Sequence, residues 1–120
     1  MARRLRQEAG SPLSPSLTAA LATIERHGPL TPSELATRER VQRPNATKLI
    51  ARLEQDDLVD RTVDPGDARS SLISISAEGR RLLAVVRGRK DAYLAMRLEE
   101  LSERDRETLA RAAVLLEDLL

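Results

Sequence analysis

The side chains best suited to act on another molecule lie between Arg43 and Gln55. Wound as a helix, with about 100° between successive residues, this segment puts Pro44, Thr47, Lys48, Ala51, Arg52 and Gln55 on one side. Asn45 lies at the edge of that side, and Arg43 immediately precedes it. Asn and Gln can hydrogen-bond adenine through two atoms, Lys and Arg can donate to guanine, and Thr can touch a phosphate or a thymine methyl. Thr47 and Ala51 are small enough to let a partner come close. A solvated helix face carries the same residue types. What separates this one is the confinement of its acids, Glu54, Asp56 and Asp57, to the edge and the C-terminal end. Open amides at the helix start would add a place for a phosphate. The chemistry implied is recognition of duplex DNA.

A second group lies further on. Asp67-Ala68-Arg69 places an arginine on an exposed hairpin tip, which suits insertion into a narrow minor groove. Asp67 is near enough to pair with Arg69 and set its direction; the plainer reading is an exposed ion pair of little energetic weight. Arg61, on the preceding strand, can meet a phosphate or pair with one of the acids around it.

Stepwise punctuation of the chain defines the elements that position these groups. Ser14-Pro15 and Thr31-Pro32 each set a capping hydroxyl before a proline, and Thr31-Pro32-Ser33-Glu34 reads as a capping box with Glu34 reaching back to the Thr31 amide. Leu17, Ala20, Leu21 and Ile24 keep helical spacing until Gly28-Pro29, predicting a helix over 15–27. A shorter helix over 32–39 turns Leu35 and Ala36 inward. A third, from Pro44 to about Asp56, buries Ala46, Leu49, Ile50 and Leu53. The period then changes. Residues 58–63 and 72–75 read as strands around a polar loop over 64–71, a hairpin too small to be stable unless it packs on the helices. Ser76 opens a long helix over 77–99, and Ser102 with Asp105 restarts one over 103–120. That last helix carries Leu109, Ala112, Ala113, Leu116 and Leu120 on one face, widened by Val114, Leu115 and Leu119. So broad an apolar face is expected to be covered by a second subunit. Three helices followed by a two-stranded hairpin is the layout of a winged helix-turn-helix, whose third helix enters the major groove.

Composition bounds the alternatives. The 120 residues carry 20 bases and 19 acids, a net charge of +1, but the charges are segregated. Residues 1–55 hold nine bases against five acids, whereas 56–69 hold two against five. Leu and Ala dominate the apolar content and only ten residues are Val or Ile, so the fold is expected to be mainly α with a small β-hairpin. Trp and Phe are absent and Tyr93 is the one aromatic residue, which argues against a base-stacking single-strand binder. There is no Cys, hence no disulfide and no thiol chemistry, and His27 alone supports neither a metal site nor a catalytic triad. Glu99 and Glu100 are adjacent and diverge on a helix, so they form no acid–base pair. Neither an enzyme nor a cofactor or metal is expected. No apolar run approaches a membrane span and no signal-peptide core follows Met1, so a cytoplasmic location is expected.

From Leu13 to about Leu83 the chain resembles the MarR-type transcriptional regulators. The resemblance is carried by Leu30-Thr31-Pro32-Ser33-Glu34-Leu35-Ala36, Thr47-Lys48-Leu49-Ile50-Ala51-Arg52-Leu53-Glu54 and Leu58-Val59-Asp60-Arg61. It continues through the more specific pair Asp64-Pro65-Gly66-Asp67-Ala68-Arg69 and Ser76-Ala77-Glu78-Gly79-Arg80, while the last 35 residues match only in general character. It implies a homodimer on a pseudo-palindromic DNA operator, usually repressing transcription, with Arg69 in the minor groove supported by Asp67. It also implies release from DNA by a small phenolic or other aromatic ligand, for which the sequence locates no pocket. The expected organisation is a residual N-terminal helix of the dimerisation region over 1–12, a winged helix-turn-helix over 13–79 and C-terminal dimerisation helices over 80–120. Family members usually carry a longer first helix, a departure that bears on the dimer geometry. Arg43, Pro44, Asn45, Thr47, Lys48, Arg52, Arg61, Asp67 and Arg69 are the expected DNA-binding residues. The competing expectation is a winged-helix protein-interaction module that does not engage DNA, favoured by the near-neutral charge.

Overall fold

The computed structural model describes residues 13–119, so the expected helix over 1–12 lies outside the described residues. Five helices and one hairpin follow in the order α1 (Pro15–His27), α2 (Pro32–Glu39), α3 (Arg43–Gln55), β1 (Val59–Asp64), β2 (Asp67–Ile75), α4 (Ala77–Glu99) and α5 (Glu103–Leu119). The described residues fall into two compact units, one ending at Arg87 and the other taking up the chain at Gly88.

In the first unit the helix signals act largely as their chemistry requires. Ser14 Oγ accepts from the Leu17 amide at 3.2 Å, and α1 stops where Gly28 N donates to Ile24 O at 2.8 Å. Thr31 Oγ1 accepts from the Glu34 amide at 3.1 Å. The expected box closes differently: the Glu34 carboxylate accepts from the Thr31 hydroxyl at 3.1 Å. Arg40 ends α2 in the left-handed region, with φ of 56°. That reversal and the extended Gln42 turn the chain sharply into α3.

The core gathers the expected stripes. Ala20, Leu21 and Ile24 of α1, Leu35 and Ala36 of α2, and Ala46, Ile50 and Leu53 of α3 are buried, with Leu17 and Leu49 packed at the margin. Burying an aliphatic side chain of this size contributes on the order of 2 kcal/mol, so these stripes fix how the helices pack. Leu30, Val59, Ile73 and Ile75 bring the base of the hairpin into the same cluster, and Leu83 brings the start of α4. Leu30 also pairs with Ile73 by backbone bonds of 2.8 and 3.1 Å, so the connection after α1 lies along the hairpin like a fragment of a third strand.

The hairpin differs from the sequence expectation. The loop is shorter than 64–71: only Pro65 and Gly66 separate the strands, and β2 begins at Asp67. Pairing runs from Val59 opposite Ile75 to Val63 opposite Ser71, with an irregularity before Asp64 meets Asp67. Residues 67–71 look like a loop in sequence because neither of their faces is buried. The apolar alternation that marks a strand has no reason to continue there, while the backbone ladder does.

Ser76 makes the junction to α4. Its hydroxyl accepts from the Gly79 amide at 3.0 Å and donates to the Asp57 carbonyl at 2.7 Å. Gly79 presses against the same turn, where a Cβ would lie 2.2 Å from the Leu58 carbonyl oxygen.

In the second unit the end of α4 turns into α5 at Ser102, whose hydroxyl accepts from the Asp105 amide at 3.2 Å. The Arg106 guanidinium donates to the carbonyls of Glu99 and Leu101, satisfying the last turn of α4. None of the described residues of α5 is buried: Leu109, Val114, Leu115, Leu116 and Leu119 are all exposed. Among the described residues no helix is long and apolar enough to cross a membrane.

Candidate nucleic-acid interface

Helix α3 buries one stripe and shows the opposite side to solvent. Arg43, Pro44, Asn45, Thr47, Lys48, Ala51, Arg52 and Gln55 are all exposed, and the acid within the helix, Glu54, is half-buried at the edge of that side. Among the described residues Arg43 and Lys48 have no ion-pair partner, which leaves both charges free for a ligand. Arg52 lies 3.4 Å from Asp56, one turn on; both are exposed, so the pair is weak and open to exchange. Thr47 Oγ1 donates to the Arg43 carbonyl at 3.0 Å. Its proton is thereby committed to the helix, and a thymine methyl becomes the better complement to what it shows.

The start of α3 is also open. Gln42 makes no side-chain capping bond there, in contrast to Ser14 and Thr31 at the two helices before it. The amide such a cap would take, that of Asn45, donates instead to the Gln42 carbonyl at 2.9 Å.

At the hairpin tip Arg69 is almost fully exposed, at 94% of its side chain. Asp67 faces it twice: Oδ1 accepts from the Arg69 amide at 3.0 Å and lies 3.6 Å from its Nε. The backbone contact fixes the strand under Arg69, and the looser charge contact biases the guanidinium without holding it. Asp64 shapes the turn by accepting from the Gly66 amide at 2.9 Å. The exposed side of α3 and this tip belong to one compact unit.

Arg61 is occupied. Its Nε and Nη2 donate to the two carboxylate oxygens of Glu54 at 3.3 and 2.6 Å, and its Nη1 donates to Ser71 Oγ at 2.7 Å. The hydrogen bonds to Glu54 hold the guanidinium protonated more firmly than usual. Of the two sequence alternatives for Arg61, the structure displays the pairing with an acid. Glu54 itself was legible only as an acid at the margin of the exposed side of α3. Its partner lies seven residues on, across a turn in which Asp57 takes φ of 58°, and no periodicity signals such a contact.

Beside α3 an open cleft of about 560 Å³ is lined by α1 and α2 residues together with Asn45, Lys48 and Leu49. Its walls are Pro15, Ala19, Val41 and Leu49, with Lys48 and Glu39 supplying opposite charges.

Comparison with known proteins agrees with this geometry. The profile of the MarR family matches residues 13–71, the span from the first core leucine to the wing. A helix-turn-helix transcriptional regulator of Mycobacterium tuberculosis is 39% identical over 117 residues, covering 97% of this chain and 82% of that protein. The transcriptional repressor MdtR of Bacillus subtilis is 38% identical over 95 residues, 78% of this chain and 60% of MdtR. Among solved structures, YusO of Bacillus subtilis superposes with a TM-score of 0.85 at 27% identity, covering 98% of this chain and 87% of YusO. A mutant of Staphylococcus aureus MepR bound to an oligodeoxyribonucleotide superposes with a TM-score of 0.76 at 22% identity, a likeness of fold that covers 99% and 92% of the two chains. The acid-free face of α3, the hairpin beside it and a near full-length relative at 39% identity lead to one assignment: this chain belongs to the MarR family of helix-turn-helix transcriptional regulators.

Proposed function

We propose that this regulator acts in the cytoplasm as a homodimer on a pseudo-palindromic operator, with α3 of each subunit in the major groove and the hairpin tip over the adjacent minor groove. The observation that carries the reading is the exposed, acid-free side of α3, where Arg43 and Lys48 stand unpaired and Asn45 is free to meet a base. Asn45 and Lys48 read base edges. Arg43 and Arg52 neutralise phosphates, Pro44 sets the helix start against the backbone, and Thr47 offers its methyl. Arg69 enters the minor groove, its direction biased by Asp67. Repression is the expected mode, in keeping with the name of MdtR.

The exposed leucines of α5 supply the apolar surface for a second copy. A small aromatic ligand that releases the DNA completes the reading. The cleft beside α3 supports it through its apolar walls, with Lys48 and Glu39 as its charged groups.

The decisive experiment is selection of bound sequences from a pool of random duplex DNA, followed by titration of the recovered duplex at several salt concentrations. Enrichment of a two-fold symmetric site, with affinity falling steeply in salt, is the expected result. A folded dimer that enriches no sequence would favour a protein-interaction module instead.

A further inference from the structure

The hairpin must be aimed as well as built, and its length sets the problem. At its base Val59, Ile73 and Ile75 are buried, and Ile73 is bonded to Leu30. Towards the tip the hydrophobic support ends: Thr62 and Val63 are exposed, and so are Asp67, Ala68 and Arg69. A two-stranded ribbon leaving the core in this way twists and flexes about its base unless something fastens it.

Arg61 is placed to do so. In the register Val59 faces Ile75, Arg61 faces Ile73 and Val63 faces Ser71, so Arg61 shares the core-facing side of the ribbon with Val59, Ile73 and Ile75. It stands where the apolar layer runs out, one step beyond the buried Val59. An aliphatic residue there would lie beside Ile73 of the same ribbon, whereas a long amphipathic one spans to the next element. Its fork grips Glu54 of α3 through both carboxylate oxygens, and its remaining nitrogen holds Ser71 of β2. One guanidinium therefore ties together the recognition helix and both strands.

We infer that Arg61 is a positioning residue, with Glu54 and Ser71 as its anchors, that sets the hairpin tip against α3 so that major- and minor-groove contacts are made together. The inference rests on the DNA-binding reading proposed above and assigns Arg61 a different task from the phosphate contact its charge suggests. Both partners are part-exposed, at 41% and 34% of their side chains, so the pair changes the folding equilibrium by less than about fivefold. Its weight falls on orientation. It also accounts for an acid beside a DNA-facing surface, where an unpaired carboxylate would repel phosphates.

The test has one arm with DNA and one without. In the first, Glu54→Gln and Arg61→Met are titrated against a fluorescein-labelled duplex recovered by the selection, each alone and with Arg69→Ala. The expected result is a loss of about threefold or more in affinity for each single change, and a cost of Arg69→Ala that shrinks about threefold once Arg61 is gone, because an unaimed tip has less to lose. Tighter binding by Glu54→Gln, as expected if it freed a phosphate-seeking cation, would overturn the inference. An Arg69→Ala cost independent of Arg61 would overturn it too. In the second arm, amide hydrogen exchange is followed in the DNA-free dimer over residues 60–72. Exchange faster by about fivefold in Arg61→Met, with α1 unchanged, supports the strut; unchanged exchange removes it. If the parent chain binds no duplex, the DNA reading fails on its own, and hydrogen exchange still decides whether Arg61 holds the hairpin.

Discussion

At the scale of single residues the site separates charges that are free from charges that are already engaged. Arg69 is held only loosely by Asp67 and stands almost wholly in solvent, so it has little to give up on meeting DNA. Arg69→Ala is expected to weaken binding to every duplex and to reduce the slope of log affinity against log salt by about 0.9 per tip, measured by anisotropy titration. An unchanged slope would show that no phosphate-neutralising contact is lost. Asn45 and Lys48 are proposed to make the other kind of contact, with base edges. Replacing either by Ala should relax preference at one position of each half-site by about 1 to 3 kcal/mol, read by repeating the selection with the variant. A uniform loss across all sequences would instead make them backbone contacts. Thr47 lies between the two: with its proton given to the Arg43 carbonyl, Thr47→Val should bind about as well as the parent.

At the scale of elements the junctions matter more than the elements themselves. The helices were legible because Ser14, Thr31, Ser76 and Ser102 each stand before a run with helical spacing, and each hydroxyl does accept from an amide three residues on. The hairpin was half legible. Its buried base alternates, whereas residues 67–71 pair as strand with no buried face to enforce alternation. The Ser76 junction carries a testable stability effect. Ser76→Ala removes both the cap of α4 and the bond to the Asp57 carbonyl, a loss of about 1 to 2 kcal/mol measured by denaturant unfolding. Gly79→Ala should cost at least as much, since its methyl would meet the Leu58 carbonyl oxygen, which belongs to the backbone and cannot swing aside. Wild-type stability in Gly79→Ala would mean that α4 is free to move off the α3–β1 turn.

At the scale of the whole molecule the open question for any such regulator is what covers its apolar helix. Leu115, Leu116 and Leu119 expose 65%, 60% and 81% of their surface, an apolar patch of the kind that marks an interaction site. Leu115→Asp combined with Leu116→Asp is therefore expected to shift the protein from dimer to monomer in light scattering. Helical content over residues 13–87 should survive, because that unit has a core of its own. A dimer that persists in the double variant would place the subunit contact elsewhere. The near-neutral total charge has its resolution at this scale as well. Glu54 and Asp67 face arginines, so the exposed side of α3 keeps Arg43 and Lys48 unopposed.

The sequence by itself determined the elements and which side of α3 is exposed, because caps, breakers and helical period are local and act within a few residues. It also determined that stacking and thiol chemistry are excluded, since Trp, Phe and Cys are absent. Only the tertiary structure decided what Arg61 does and where the wing begins. Both depend on which residues meet across a turn: Glu54 and Arg61 are joined because Asp57 adopts a left-handed conformation between them, and Asp67 enters a ladder set by the pairing of Val59 with Ile75. A guanidinium is chemically the same whether it awaits a phosphate or grips a carboxylate, and only the position of the carboxylate tells them apart.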